Sequence, residues 1–336
     1  MPRPSCSILI ANYNGEHLLA DCIDSVLGQR GDFQVEIIIH DDCSTDRSLD
    51  LLRTHYPQAR IIESAENVGF CIANNRMAAI AEGEYLLLLN NDAALFPDAL
   101  SALFDPANDV AGISTLPQFA WDDGRIINYG CRLDLFYNAV PAMRPGKHAL
   151  AMVEGACLFL PRRLWTELGG FPEWFGSIAE DAMLCCAARL AGTAVRCLES
   201  SGYRHRQGAS FSGLRANDGR LRTRFRRRYL SERNRIALLA TCTPTWLAWL
   251  LLGLHWAILL AEAIGLCALQ GTMRPWHEIY FPAMRDAWSL REKTLALRRG
   301  TQARRCIGLR EYLRGFVFFP YRLRLLVRHG APRITD

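Results

Sequence analysis

The feature that most constrains this chain is the alternation, over its first 115 residues, of short apolar runs with stretches of helical spacing. Residues 7–11 (SILIA), 35–40 (VEIIIH), 60–63 (RIIE), 85–89 (YLLLL) and 110–115 (VAGIST) read as strands. Several are apolar at consecutive positions, the pattern of strands covered on both faces. Between them, residues 17–27, 46–55, 69–81 and 97–104 carry helical periodicity. Ser44 or Thr45 is placed to cap the second helix, and Pro97 suits a first turn. Strand–helix alternation predicts an α/β fold with a doubly wound, mostly parallel sheet. Ligands of such sheets bind beyond the carboxyl ends of the strands.

Those strand exits are polar. The first run leaves into Asn12-Tyr13-Asn14-Gly15, the second into Asp41-Asp42-Cys43-Ser44-Thr45-Asp46, the fourth into Asn90-Asn91-Asp92. One such exit would be an ordinary turn; three form a constellation. Neither a P-loop nor a dinucleotide fingerprint is present, and residues 208–213 (GASFSG) miss the nucleophile-elbow spacing. Residues 117–150 lose periodicity and predict an irregular or hairpin insertion. Structure is expected again as a strand at 153–160 and a helix at 162–168. Then come Gly169-Gly170-Phe171, a helix opened by Glu180-Asp181 and running to 190, a strand at 194–198, and His205.

Taken in order, SILIANYN, EIIIHDDCSTDRS, ENVGFCIANN, GEYLLLLNNDA, VEGACLFLPRRLW, GGFPEWF, AEDAMLCCAARLAG and HRQGAS resemble the family 2 glycosyltransferases of GT-A fold, especially bacterial rhamnosyltransferase-like members. The resemblance covers about residues 5–211. It implies an inverting transfer of a sugar from a nucleotide-diphosphate donor, dTDP-rhamnose or a UDP-sugar, to a hydroxyl acceptor. It also implies Mg²⁺ or Mn²⁺ at a D-x-D motif, which here reads Asn90-Asn91-Asp92 with the first aspartate replaced. Asp92 is then the candidate metal ligand, with His205 completing the site, as a neutral imidazole suits Mn²⁺. A turn-capping Asp92 and a packed His205 are the plain alternatives.

Inversion in one displacement needs a base for the acceptor proton. The family's E-D motif falls on Glu180-Asp181 and assigns that role to Asp181. Glu180 then positions the acceptor or supports the helix end, although charge compensation at a helix start also explains both acids. The glycines of GGF and the rings of Trp174 and Phe175 suit a sugar subsite. Asp41 or Asp42 can accept the imide N–H of uracil or thymine, while Asp46 reads as a helix cap. Asn12 and Asn14 shape the nucleotide loop, and Asn74 and Asn75 either reach the donor or lie on a helix surface. Gly69 is assigned to a turn.

Charge divides the chain. Residues 1–219 carry 17 Lys and Arg against 27 Asp and Glu, a balance of −10; residues 220–336 carry 22 against 7, a balance of +15. We therefore expect a catalytic domain over 1–219 and a basic, apolar helical region over 220–336 that associates with a membrane. Residues 236–261 hold no Asp, Glu, Lys or Arg, with eight arginines just before them and 14 Arg and Lys from Arg274 onward. The stretch is long enough to span, but cationic flanks on both sides favour cytosolic placement of both. A re-entrant hairpin broken near Gly253 or Gly265, or helices in the interface, is expected ahead of a buried helical pair or a single span.

Twelve cysteines without a CxxC predict reduced, buried thiols, and the apolar run after Met1 is too short for a signal peptide. The expected partners are the donor, a lipid-linked glycan acceptor in cell-surface polysaccharide synthesis and an anionic lipid surface at the cytoplasmic face of the membrane. Nucleic acid is not expected, because the apolar segment has no role there. Asn90 leaves open a catalytically degenerate nucleotide-sugar-binding scaffold.

Overall fold

A computed structural model describes residues 3–105, 107–108, 111–206, 215–217, 220–330 and 332–335. Val110, where one strand was expected to begin, and residues 207–210 of the HRQGAS motif lie outside them. The chain forms two compact units. One comprises Met1–Cys131, Pro141–Ala188 and Thr193–Ser210; the other comprises Arg132–Val140, Arg189–Gly192 and Phe211–Asp336.

The first unit opens with β1 (Ser5–Asn12), α1 (Glu16–Leu27), β2 (Gln34–Asp41), α2 (Ser48–His55), β3 (Arg60–Glu63), α3 (Phe70–Ile80) and β4 (Tyr85–Leu89). These follow the predicted alternation closely. After β5 (Ala93–Leu95) and α4 (Ala99–Leu103) come β6 (Ile113–Thr115) and the hairpin of β7 (Gln118–Ala120) and β8 (Ile126–Asn128). Two short strands follow, β9 (Cys131–Asp134) and β10 (Ala139–Pro141), most of whose residues belong to the second unit. The chain returns as β11 (Cys157–Pro161), α5 (Arg162–Leu168), α6 (Glu180–Leu190), β12 (Val195–Cys197) and β13 (Tyr203–His205). The main sheet has the order β12-β6-β11-β4-β1-β2-β3 and is parallel except for β11.

Ile8, Leu9 and Ile10 of β1 and Leu86, Leu87 and Leu88 of β4 are all 0% exposed, so both faces of the sheet's centre are covered. Truncating one of these to Ala would cost about 2–5 kcal/mol. β1 lies between β2 and β4, where the strand order reverses, and Asn12 stands directly beside Asp41 in the register. That switch point puts the polar exits together. A second sheet, β5-β13-β7-β8, carries the first part of the predicted insertion, β7 and β8, together with His205. β11 starts at Cys157 rather than 153 because Glu154 to Ala156 form a turn, closed by the Cys157 amide on the Glu154 carbonyl (3.3 Å).

In the second unit, α7 (Phe225–Cys242) follows a hairpin of β14 (Arg215–Asn217) and β15 (Arg220–Arg224). Then come α8 (Leu247–Gln270), α9 (Phe281–Ser289) and α10 (Arg291–Ala303). Glu232 on α7 is fully buried and binds Arg228 (2.6 Å), Arg322 (2.6 Å) and Arg235. Burial opposes its charge, but the three guanidinium groups overcome that and hold its carboxyl well below the usual range.

The apolar stretch is divided at residues 243–246, between α7 and α8, and α8 runs unbroken past Gly253 and Gly265, which corrects the break expected at those glycines. A glycine costs a helix only about 1 kcal/mol. Here a buried stripe of Ala248, Leu251, His255, Leu259, Ala263 and Leu266 continues past both glycines. The other side exposes Trp249, Leu250, Leu254 and Ile264, with Trp246 just before the helix. By length and composition α8 could cross a membrane.

Candidate active site

Three strand exits are tied by one carboxamide. Asn12, 1% exposed, donates through Nδ2 to Asp41 Oδ1 (3.0 Å) and Ser44 Oγ (3.3 Å), and its Oδ1 accepts from Asn91 Nδ2 (2.9 Å). β1, β2 and β4 therefore end in a single hydrogen-bonded knot. Gly15 is required beside it: a Cβ there would lie 2.3 Å from Asn12 Oδ1 and 2.4 Å from Asn91 Nδ2. Asn14, in left-handed backbone (φ 50°), braces the β2 exit by accepting the Thr45 amide on Oδ1 (2.7 Å) and donating its own amide to Ser44 Oγ (2.9 Å).

The acids of the β2 exit are largely engaged in the fold. Asp41 is fully buried and accepts the Ser44 amide on Oδ2 (2.9 Å). Asp42 accepts the Val68 and Gly69 amides (2.7 and 2.9 Å), fixing the turn in which Gly69 adopts φ 87°. Asp46, rather than Ser44 or Thr45, serves α2: it accepts the Ser48 amide (3.0 Å) and also that of Glu16 at the start of α1 (2.9 Å). Although burial opposes ionisation, hydrogen bonds from Ser48 and from the Glu16 amide hold the Asp46 carboxyl below its usual range.

Asp92, 2% exposed, follows directly on the β4 exit, and its carbonyl accepts the Arg206 amide (2.9 Å). Its Oδ1 meets His205 Nε2 at 3.0 Å. Behind His205, Nδ1 faces Gln118 Nε2 (2.8 Å), Gln118 Oε1 accepts from Asn128 Nδ2 (2.9 Å), and Asn128 Oδ1 accepts the Gly130 amide (2.8 Å). Asn90, half-buried, donates its amide to the Ala156 carbonyl (3.1 Å).

Next to Ala156, the Gly155 amide donates to Asp181 Oδ2 (3.1 Å). The β4 exit and the start of α6 are therefore linked through two adjacent residues. Glu180 is buried (7% exposed), which suits the support of a helix end. Ile178 and Ala179, just before it, adopt φ of 73° and 70°. Such backbone costs on the order of 1–3 kcal/mol per residue and concentrates at functional sites.

Asn74 donates to the Phe70 carbonyl within α3 (2.9 Å), a local helix contact. Asn75 instead clamps Phe171, donating to its carbonyl (2.9 Å) and accepting its amide (3.0 Å), which holds the GGF loop. Phe175 is fully buried and belongs to the core, whereas Trp174 is half-buried. Sequence reasoning missed the roles of Asn91, Gln118 and Asn128. Asn91 had a signal, its place between two polar residues at a strand exit; the other two lie in a stretch without periodicity.

Among the described residues, no group of three or more His, Cys, Asp and Glu side chains converges on one point. A single buried carboxylate at a strand exit fits an ion whose shell is completed by phosphate oxygens.

The model of Glycosyl transferase family 2 matches residues 7–147, and that of Glycosyl transferase family group 2 matches residues 85–327. The chain is similar to the succinoglycan biosynthesis protein ExoO of Rhizobium meliloti, 30% identical over 158 residues, 46% of this chain and 44% of the relative. It is 35% identical over 126 residues to the poly(ribitol-phosphate) beta-glucosyltransferase of Bacillus spizizenii, covering 35% of this chain and 20% of that protein. It is 31% identical over 176 residues to the chondroitin synthase of Escherichia coli, 51% of this chain and 24% of that protein. The matches thus span less than half the length of these relatives.

In fold, the chain is similar to the mannosyltransferase PcManGT from Pyrobaculum calidifontis in complex with GDP-Man and Mn²⁺. The TM-score is 0.53 at 18% identity, over 93% of this chain and 86% of that one. It is also similar to GalNAc-T7 with UDP, GalNAc and Mn²⁺, with a TM-score of 0.51 at 16% identity, over 60% and 43% of the two chains.

Proposed function

This chain belongs to the family 2 glycosyltransferases, and on that premise we propose that it moves a sugar from a nucleotide-diphosphate donor to a hydroxyl with inversion at the anomeric carbon. The observation that carries the reading is the knot of Asn12, Asp41 and Asn91 at the switch point, with Asp92 beside it. Asp181 is anchored to Gly155, next to the residue that holds Asn90. In the displacement, the acceptor oxygen bonds to the anomeric carbon as the bond from that carbon to the phosphate oxygen breaks. The bonding pair leaves with the nucleoside diphosphate, and the acceptor proton passes to Asp181. The hydrogen bond from the Gly155 amide orients that carboxylate. Mg²⁺ or Mn²⁺, when bound, offsets the charge of the leaving diphosphate; Asp92 would hold it.

For the donor we favour dTDP-rhamnose or a UDP-sugar. Asp42, which is 5% exposed, is a better partner for the imide than the fully buried Asp41. The acceptor we propose is a lipid-linked glycan in cell-surface polysaccharide synthesis, used at the cytoplasmic face of the membrane. The apolar face of α8, with Trp246 and Trp249, would lie in the lipid interface, and arginines on either side in sequence would meet anionic headgroups. A degenerate, non-catalytic binder is the second reading, favoured by Asn90 where the motif has a carboxylate.

A calorimetric screen of UDP-, dTDP- and GDP-sugars with and without Mn²⁺ tests the proposed donor. We expect a dTDP- or UDP-sugar to bind, at least tenfold tighter with the ion. Binding of none of them would contradict the reading.

A further inference from the structure

The polar side chains between the second sheet and Asp92 form a row whose direction is set at one end. The Gly130 amide can only donate, so the Asn128 atom 2.8 Å from it is the carboxamide oxygen. The Asn128 nitrogen must then be the atom facing Gln118, at 2.9 Å, and Gln118 must present its oxygen there. That leaves the Gln118 nitrogen as donor to His205 Nδ1 at 2.8 Å. With Nδ1 accepting, the proton of the neutral ring sits on Nε2, which donates to Asp92 Oδ1 at 3.0 Å. The row crosses β8, β7 and β13 and ends just before β5, following the order of the sheet. Asn128, Gln118 and Asp92 are 3%, 0% and 2% exposed, so water has little access to satisfy a reversed arrangement.

We propose that Asn128 and Gln118 are positioning residues that fix His205 as the Nε2–H tautomer, making it a hydrogen-bond donor that orients Asp92 rather than a ligand to an ion. This departs from the sequence expectation for His205, and its functional meaning rests on the reading of Asp92 as the carboxylate of the donor site. Ligation through Nε2 requires Nδ1 to carry the proton. Gln118 and Asn128 would both have to turn over, and an NH₂ group would then face the Gly130 amide. The second sheet thus holds the Asp92 carboxylate in place from behind, through an imidazole of fixed polarity.

Long-range proton–nitrogen NMR of histidine-labelled protein, recorded without ligand at mildly alkaline pH, reads the tautomer directly. His205 is assigned by the resonance lost in His205→Gln. The wild type should carry the proton on Nε2. Asn128→Asp, which does not touch His205, should bring a proton onto Nδ1, alone or beside the one on Nε2, because the new carboxylate accepts from Gly130 and forces Gln118 to turn. Gln118→Glu should do the same from one step closer, and serves if Asn128→Asp folds poorly. A wild-type proton on Nδ1, or an unchanged tautomer in a folded Asn128→Asp or Gln118→Glu, would overturn the proposal. So would electron spin-echo detection of an imidazole nitrogen bound to Mn²⁺ in the wild type. None of these readings depends on sugar transfer, so failure here is distinguishable from failure of the enzymatic reading.

Discussion

At the scale of single residues, the site is built on close approach. Gly15 lets β1 turn into α1 where a Cβ would lie 2.3 Å from Asn12 Oδ1 and 2.4 Å from Asn91 Nδ2. Gly15→Ala should therefore break the buried Asn91–Asn12 hydrogen bond and destabilise the first unit by about 1–3 kcal/mol. Urea unfolding followed by tryptophan fluorescence checks this; an unchanged midpoint would mean that the knot does not hold the exits together. Asn12, Asp41 and Asp92 were legible in sequence because each lies within three residues of the end of an apolar run. Gln118 and Asn128 were not, since their meaning lies in strand neighbours set by pairing rather than by local pattern. Asn74 and Asn75 are equivalent in sequence, yet one turns back onto its own helix and the other clamps Phe171.

At the scale of elements, periodicity carried furthest where strands are buried on both faces. β3, α5 and α6 begin and end where the sequence placed them, since their bounding residues change character sharply. α8 was harder to read. Its glycines suggested a break, but a helix is held by packing along its buried stripe, which sequence does not reveal. Its exposed face is the element's clearest functional statement: large apolar side chains gathered on one surface mark an interaction site. Leu254→Glu with Ile264→Glu should lower binding to anionic vesicles at least tenfold in a sedimentation assay. The melting temperature should barely move, because both side chains point outward (50% and 70% exposed). Equal vesicle binding by variant and wild type would remove α8 from the membrane contact.

At the scale of the whole molecule, the balance is −10 over residues 1–219 and +15 over residues 220–336. The acidic part carries the polar strand exits; the basic part carries the exposed helix and buries an ion cluster around Glu232. Removing one partner from such a cluster typically costs about 3–5 kcal/mol, so Glu232 is accounted for by stability alone. On the proposed function, the strand exits of the first unit bind the donor and Asp181 is the base of glycosyl transfer. The most direct measurement compares wild type and Asp181→Asn in single turnovers with the bound donor, Mn²⁺ and a lipid-linked glycan acceptor. We predict that sugar transfer falls at least a hundredfold in Asp181→Asn while donor affinity stays within about threefold, in line with the usual contribution of a general base. Transfer by Asp181→Asn at the wild-type rate would contradict the account.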